Sequence, residues 1–166
     1  MIFVTLGTQK QQFTRLLEQI ENSSVLNNEE ILIQNGYTKF ESEKLKLIDF
    51  ISNEEFNKNI DDCEFLITHG GIGSIFSALL LNKKVLAVPR LQKYKEHVDN
   101  HQLEICKKLE SLGYILVLKE DEDFDIKIQL LREKNFEKYK SSDLYLNIIE
   151  KAIEEEEKDR MKKYYV

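Results

Sequence analysis

The sequence predicts an α/β protein: a Rossmann-like three-layer sandwich on a mostly parallel sheet of about six strands. Three observations carry that reading. Short β-rich runs recur along the chain and are apolar at successive positions, as strands covered by helices on both faces are. Segments with apolar residues at three- and four-residue intervals lie between them. Glycine turns stand where strand patterns end and helical patterns begin, which is the alternation of a layered α/β domain.

The first strand, IFVTLG (2–7), runs into the glycine turn GTQKQQF (7–13), and a helical pattern follows over 11–21. EILIQN (30–35) and LKLIDF (45–50) read as the second and third strands. The polar stretch 36–44 between them is short for a crossover helix, because a parallel connection usually takes about a dozen residues. A mixed or reordered sheet is therefore expected there. A helix over 53–61 leads to EFLITH (64–69), a helix over 74–82 to KVLAVP (84–89), and a helix over 97–112, ended by Gly113, to YILVLK (114–119). These elements place one domain over 1–140. Residues 141–166 read as a C-terminal helical extension, with an apolar stripe at Leu144, Ile148, Ile149, Ala152 and Ile153 before an acidic run. That stripe suits packing on the domain's own core or docking on a partner.

Composition narrows the function. The 166 residues are 42% hydrophobic, enough for one sizeable core, and 24 basic against 30 acidic residues give a net charge of −6. That balance argues against a nucleic-acid partner held through counterion release. Cys63 and Cys106 show neither CxxC nor zinc spacing, so a reducing, cytoplasmic compartment is expected. The amino-terminal stretch has no basic leader and only a short apolar run, so neither a signal peptide nor a membrane span is expected.

The chemistry concentrates at ITHGGIGS (67–74). After the strand, His69, Gly70, Gly71, Ile72 and Gly73 open a helix at Ser74, so unpaired N–H groups and the positive helix end face outward from the strand termini. That arrangement suits phosphate. A Cβ on those glycines would hold an anion's oxygens off the backbone, and His69 and Ser74 add side-chain donors. A tight turn whose glycines only permit close packing fits the same residues. A dinucleotide fingerprint does not, because Phe76 stands where its third glycine would be, and the Walker lysine is absent too.

VPRLQKYKEHVDNHQ (88–102) follows the next strand and sets Glu96, His97, Asp99, Asn100, His101 and Gln102 where another helix should begin. A parallel sheet brings this loop to the edge that holds the glycine turn. Its carboxylate, imidazole and carboxamide groups offer the mixed donors and acceptors that sugar hydroxyls need, and an ordinary polar helix start remains the alternative. Gly7 and Thr8 open a third loop onto the same edge. Two further patterns read as decoys. The acidic run 121–125 resembles a metal-binding DxD but lies beyond the last strand at a helix start, and His97 and His101 are four apart without a third zinc ligand.

Together, IFVTLGT, IQNGY, ITHGGIGS and VPR with EHVDNHQ resemble the C-terminal, nucleotide-sugar-binding half of the GT-B glycosyltransferases, over about residues 1–120. The pattern is most similar to the small cytosolic subunits of split bacterial exopolysaccharide and capsule transferases, and to the catalytic subunit of the eukaryotic two-subunit dolichol-linked GlcNAc transferase. The resemblance implies a UDP-sugar donor, a polyprenyl-diphosphate-linked acceptor and inversion at the anomeric carbon, with no metal and no other cofactor. It also implies a membrane-anchored partner subunit supplying the N-terminal half and drawing this chain to the inner face of the membrane, since the chain is too short for both halves.

Carried over by position, His69, Gly70, Gly71, Gly73 and Ser74, with Gly7 and Thr8, would hold the donor diphosphate. Phe50 and Ile51 would border the uracil, and Glu96, His97, Asn100 and Gln102 would read the donor hexose. Ser77 stands where many members have a glutamate for the ribose, and His97 replaces an amide. Glu96 and His97 are candidates for the catalytic base by type alone, and that base can equally lie on the partner. A non-catalytic nucleotide-sugar-binding module that stabilises a partner transferase, or a homodimeric scaffold with structural glycines, would share these motifs.

Overall fold

The computed structural model describes residues 1–98 and 101–139. Within them the chain forms β1 (Ile2–Thr5), α1 (Thr14–Asn22), β2 (Ile31–Gln34), β3 (Lys46–Ile48), α2 (Asn53–Asp62) and β4 (Phe65–Thr68). It continues with α3 (Ile72–Leu80), β5 (Lys84–Ala87), α4 (His101–Ser111), β6 (Leu116–Val117) and α5 (Phe124–Glu133). Every residue of β1 and β4 is buried. Strands that are apolar at successive positions can bury both faces only between two helical layers, and that is the architecture found.

The sheet order is β3-β2-β1-β4-β5-β6, and every pairing is parallel. Val4 lies opposite Ile33 on one side and Ile67 on the other. Alternate residues of the strands point into two separate cores. Val4, Ile33 and Ile67 join Leu16, Leu17 and Ile20 of α1 and Ile128 and Leu131 of α5. Phe3 and Leu66 join Ile60 of α2, Ile75, Phe76 and Leu79 of α3, and Cys106 and Leu109 of α4.

The mixed sheet expected at 36–44 does not occur: β2 and β3 are parallel, with Leu32 opposite Lys46 and Gln34 opposite Ile48. The connection carries no helix, and the half-buried Phe40 and Leu45 pack against the first core in its place. Helix starts differ as well. α1 begins at Thr14, after the fully buried Phe13, whose backbone as N-cap is not helical (φ −135°, ψ 50°). α3 begins at Ile72, which puts Gly73 and Ser74 inside its first turn. α4 begins at His101, and the segment before it contains a 3-10 turn at Gln92–Tyr94. The sixth strand is only Leu116–Val117, although Ile115 and Leu118 are buried beside it.

The acidic run serves as a helix start, as its position predicts. Asp123 caps α5 by accepting from Ile126 N at 2.9 Å, and Asp125 accepts from Ser24 N at 2.9 Å. Beyond α5 the chain returns under the second core, where Tyr139 meets Phe76 and Tyr114 with ring centroids 5.4 and 5.6 Å apart. The proposed extension over 141–166 lies outside the described residues. Among the described residues no helix is long and apolar enough to cross a membrane.

Candidate functional site

Because all strands run the same way, the loops after β1, β4 and β5 open on one edge, and β1 and β4 adjoin at the point where the strand order reverses. Ligand crevices of open α/β sheets form at such a point. Here the loops are tied together by three buried or half-buried side chains.

The first tie is His69, immediately after β4 and 7% exposed. Its Nδ1 lies 3.4 Å from both the Thr5 carbonyl oxygen and Thr68 Oγ1. The ring fills the space between two glycines. A Cβ on Gly7 would lie 2.5 Å from His69 Nε2, and one on Gly71 would lie 2.6 Å from Cε1. Gly7 needs its freedom doubly, since its φ is +76°. A Cβ on Gly70 would meet Cys106 Sγ at 3.1 Å, whereas nothing lies within 4 Å of the Cβ position on Gly73. The expectation that the turn glycines Gly70, Gly71 and Gly73 leave their Cβ space to an anion meets protein atoms at Gly70 and Gly71. Gly7, Gly70 and Gly71 make room for protein atoms, and Gly73 alone among these four faces open space.

Burial, reinforced by the nearby Arg90 guanidinium and opposed by the Thr5 carbonyl, pushes the His69 pKa down to about 4. The ring is therefore neutral at pH 7. An unfolded chain takes up this proton near pH 6.5, so the stability tied to the neutral ring is complete above that pH and is lost progressively as pH falls from about 6.5 to about 4. The His69 Cε1 proton shift in an NMR titration is expected to stay flat down to about pH 5; a midpoint near 6.5 would contradict the buried neutral ring.

The amino end of α3 offers backbone N–H groups that no side chain caps among the described residues. Gly71 is the N-cap, with φ −66°, no side-chain cap and no acidic residue in the first turn. The first bond of the helix runs from Ile75 N to the Gly71 carbonyl at 3.2 Å, so the N–H groups of Ile72, Gly73 and Ser74 precede the ladder. α1 likewise lacks a side-chain cap and a first-turn acid, whereas α2 and α5 are capped. Ser52 and Glu55 form a reciprocal capping box on α2, and Asp123 caps α5.

Arg90 is the second tie and was not singled out by the sequence reading, although it stands in the VPR stretch. It is 1% exposed. Its Nη2 donates to the Leu6 carbonyl at 2.8 Å, and Nη1 donates to the carbonyls of Gln11 at 2.7 Å and Glu96 at 3.1 Å. Burial lowers its pKa to about 10, so it remains charged at neutral pH. The guanidinium also lies over the Phe13 ring, 4.8 Å from its centroid. One side chain thus bolts the β1 loop to the β5 loop.

The third tie is Arg15, from α1. Its Nε donates to Glu96 Oε1 at 3.0 Å and its Nη2 to Glu96 Oε2 at 2.9 Å and to the Pro89 carbonyl at 3.0 Å. Glu96 Oε2 also accepts from Leu91 N at 2.9 Å. The acid assigned to a sugar by resemblance is therefore a buried partner of an arginine 81 residues away. A pairing over that separation leaves no pattern in a sequence.

The remaining expected residues fall along the same edge. Phe50, after β3, is 47% exposed and meets the 48% exposed Tyr37 edge to face, with centroids 5.1 Å apart. The Cβ position of Gly36 lies 3.8 Å from the Phe50 ring and 2.5 Å from the Gly7 carbonyl oxygen, which connects this aromatic pair to the first glycine turn. Ile51 instead packs half-buried against the second core. Thr8 is exposed, and Gly7 N donates to Thr5 Oγ1 at 3.3 Å. His97 is half-buried beside Glu96. Gln102, near the start of α4, has a buried Oε1 that accepts no hydrogen bond among the described residues. Asn100 lies outside the described residues.

The model of the glycosyltransferase family 28 C-terminal domain matches residues 1–156. A subunit named UDP-N-acetylglucosamine transferase subunit ALG13, from Candida albicans, is 31% identical over 81 residues, which are 49% of this chain and 26% of that protein. The match thus spans about a quarter of the relative's length. Among solved structures, the glycosyltransferase of kitacinnamycin superposes with a TM-score of 0.62 at 13% identity, covering 80% of this chain and 35% of the other. Os79 from O. sativa, solved in complex with UDP, gives 0.58 at 16% identity over 80% of this chain and 31% of the other. At those identities the superpositions establish the fold, which is that of one portion of these larger enzymes. With the family model matching nearly the whole length, the chain belongs to the glycosyltransferase family 28 C-terminal domains.

Proposed function

We propose that this chain is the donor-binding, catalytic subunit of a bipartite inverting glycosyltransferase. It would move a hexose from a UDP-sugar to a polyprenyl-diphosphate-linked acceptor in exopolysaccharide or capsule assembly. The observation that carries this reading is the amino end of α3, where the N–H groups of Ile72, Gly73 and Ser74 precede the helix ladder with no side-chain cap among the described residues and the Cβ position of Gly73 is open, at the switch point of a family 28 C-terminal domain. A second, membrane-anchored chain would supply the acceptor-binding half and hold this cytoplasmic subunit at the inner membrane face. The relative named as a transferase subunit supports a divided enzyme.

In this proposal the acceptor hydroxyl attacks the anomeric carbon, the bond from that carbon to the phosphate oxygen breaks, and UDP leaves with the electron pair. The N–H groups at the start of α3, the Ser74 hydroxyl and the helix dipole stabilise the departing diphosphate without a metal or other cofactor. Gly7, Thr8, His69, Gly70 and Gly71 shape that pocket. The Phe50 ring offers a face for the uracil, with Ile51 behind it, and UDP in the Os79 structure is consistent with a uridine ligand. His97, Asn100 and Gln102, whose Oε1 has no hydrogen-bond partner among the described residues, would meet the hexose. The hydroxyl proton goes to His97 or to a base that the partner chain supplies, because Glu96 is engaged by Arg15 and by Leu91 N. That same engagement favours, as a second reading, a non-catalytic module that binds the nucleotide-sugar and stabilises its partner.

Calorimetric titration with UDP, UDP-GlcNAc, UDP-Glc and UDP-Gal, and NADH as control, tests donor binding. Uridine ligands alone should bind, and equal binding of NADH or silence on every uridine ligand would defeat the proposal. Supplying the membrane half then separates the two readings, since a catalytic subunit gives sugar transfer and a stabilising module gives none.

A further inference from the structure

Glu96 is the one buried carboxylate among the described residues. Its side chain is 5% exposed, and that of its partner Arg15 is 24% exposed. The two meet in the parallel, two-bond geometry that makes arginine–carboxylate pairs directional. The loop folds around this pair. Leu91 N donates to the Glu96 carboxylate and Glu96 N donates to the Leu91 carbonyl at 3.3 Å. Arg15 holds the Pro89 carbonyl, and Arg90 holds the carbonyl of Glu96. The Arg15 guanidinium is flanked by the rings of Phe13 and Tyr94, 5.2 and 5.4 Å from their centroids. Lys95, directly before Glu96, has a left-handed backbone with φ +58°, a conformation that a residue with a side chain keeps only where its surroundings fix it.

We infer that Arg15 and Glu96 form a clasp that sets the β5–α4 loop against α1, so that both are positioning residues and neither contacts the donor. The inference rests on the nucleotide-sugar reading of this edge. His97 follows Glu96 directly, and the clasp sets where it lies. The loop also carries Pro89, whose Cα is 3.5 Å from the Cβ position of Gly70. Releasing the clasp therefore disturbs the floor of the proposed diphosphate pocket together with the sugar-facing end.

The test compares Arg15→Gln, Glu96→Gln and the double variant by calorimetric titration with UDP and with UDP-GlcNAc. Hydrogen exchange of 89–96 in the ligand-free protein is measured alongside. The clasp predicts that each single change weakens UDP and UDP-GlcNAc alike, by about tenfold, and speeds exchange of that segment. The double variant should be no weaker than the worse single one, because one interaction is lost in all three. A loss confined to UDP-GlcNAc in Glu96→Gln, or a silent Arg15→Gln, would overturn the inference and return Glu96 to the sugar. If Glu96→Gln does not fold, Arg15→Lys carries the same comparisons from the more exposed partner, since a lysine cannot make both bonds. If the unchanged protein binds no uridine ligand, the donor reading falls. Hydrogen exchange then decides the clasp alone, with unchanged exchange in Arg15→Gln rejecting it.

Discussion

Arg90→Met is expected to destabilise the protein by about 3–5 kcal/mol, the range for removing one member of a buried charged network. Its two terminal nitrogens serve three carbonyls, those of Leu6, Gln11 and Glu96, from two loops that no strand pairing joins. A methionine of similar length restores the packing on Phe13 but leaves those oxygens without donors, and each unmet buried group carries a penalty of about 1–3 kcal/mol. Arg90→Lys should recover only part of the loss, since one ammonium cannot span sites that a planar fork reaches. Arg132→Met is the matching control. Arg132 pairs with Glu29 and Glu64 across a partly exposed surface, with side-chain exposures of 28%, 33% and 49%, so its removal should stay within about 1 kcal/mol. Urea unfolding of the three variants measures all of this. An Arg90→Met midpoint equal to that of Arg132→Met would show that the loops hold their places without the guanidinium.

The strands were legible in the sequence because burial on both faces writes itself as uninterrupted apolar runs, and β1, β4 and β5 lie inside the runs that predicted them. The direction of β3 was not. The chain length between β2 and β3 suggested a mixed or reordered sheet, and what resolves it is tertiary: Phe40 and Leu45 pack on the core face that a crossover helix would have covered. Helix starts moved for local reasons that a residue pattern does not encode, such as the Phe13 ring going inward before α1.

At the site, local chemistry could be read and long-range pairing could not. The turn from His69 to Ser74 announces itself, since a run of glycines between a buried strand and an apolar helix marks a helix start whose N–H groups lack side-chain caps. The jobs of its glycines depend on what sits opposite, and for Gly70 that is Cys106, from a helix far along the chain. Glu96 was picked out for its company of polar residues, and its true neighbour, Arg15, lies on the first helix. Loop residues acquire their roles from whichever elements the sheet order sets side by side, and here that order sets β1 next to β4 and β4 next to β5.

Gly7→Ala is expected to cost about 2–5 kcal/mol, combining left-handed backbone strain of about 1–2 kcal/mol with overlap against His69 of about 1–3 kcal/mol. The two parts can be separated. Gly71→Ala carries no backbone strain, because φ there is −66°, so its cost is the overlap alone, about 1–3 kcal/mol. In a His69→Ala background the obstacle is gone. Gly71→Ala should then be nearly neutral, whereas Gly7→Ala should keep its backbone share, since its φ of +76° is unchanged. Denaturant unfolding of the single and double variants gives the coupling energies, and full additivity would mean that the ring is not what the glycines accommodate. Gly73→Ala supplies the contrast. With nothing within 4 Å of its Cβ position, alanine should leave stability unchanged or raise it by up to about 1 kcal/mol, as glycine-to-alanine changes in helices do. If the proposed diphosphate rests on this helix end, the same methyl group should weaken UDP binding. A variant that folds as well as the parent and binds UDP less tightly would separate the glycine that serves a ligand from those that serve the fold.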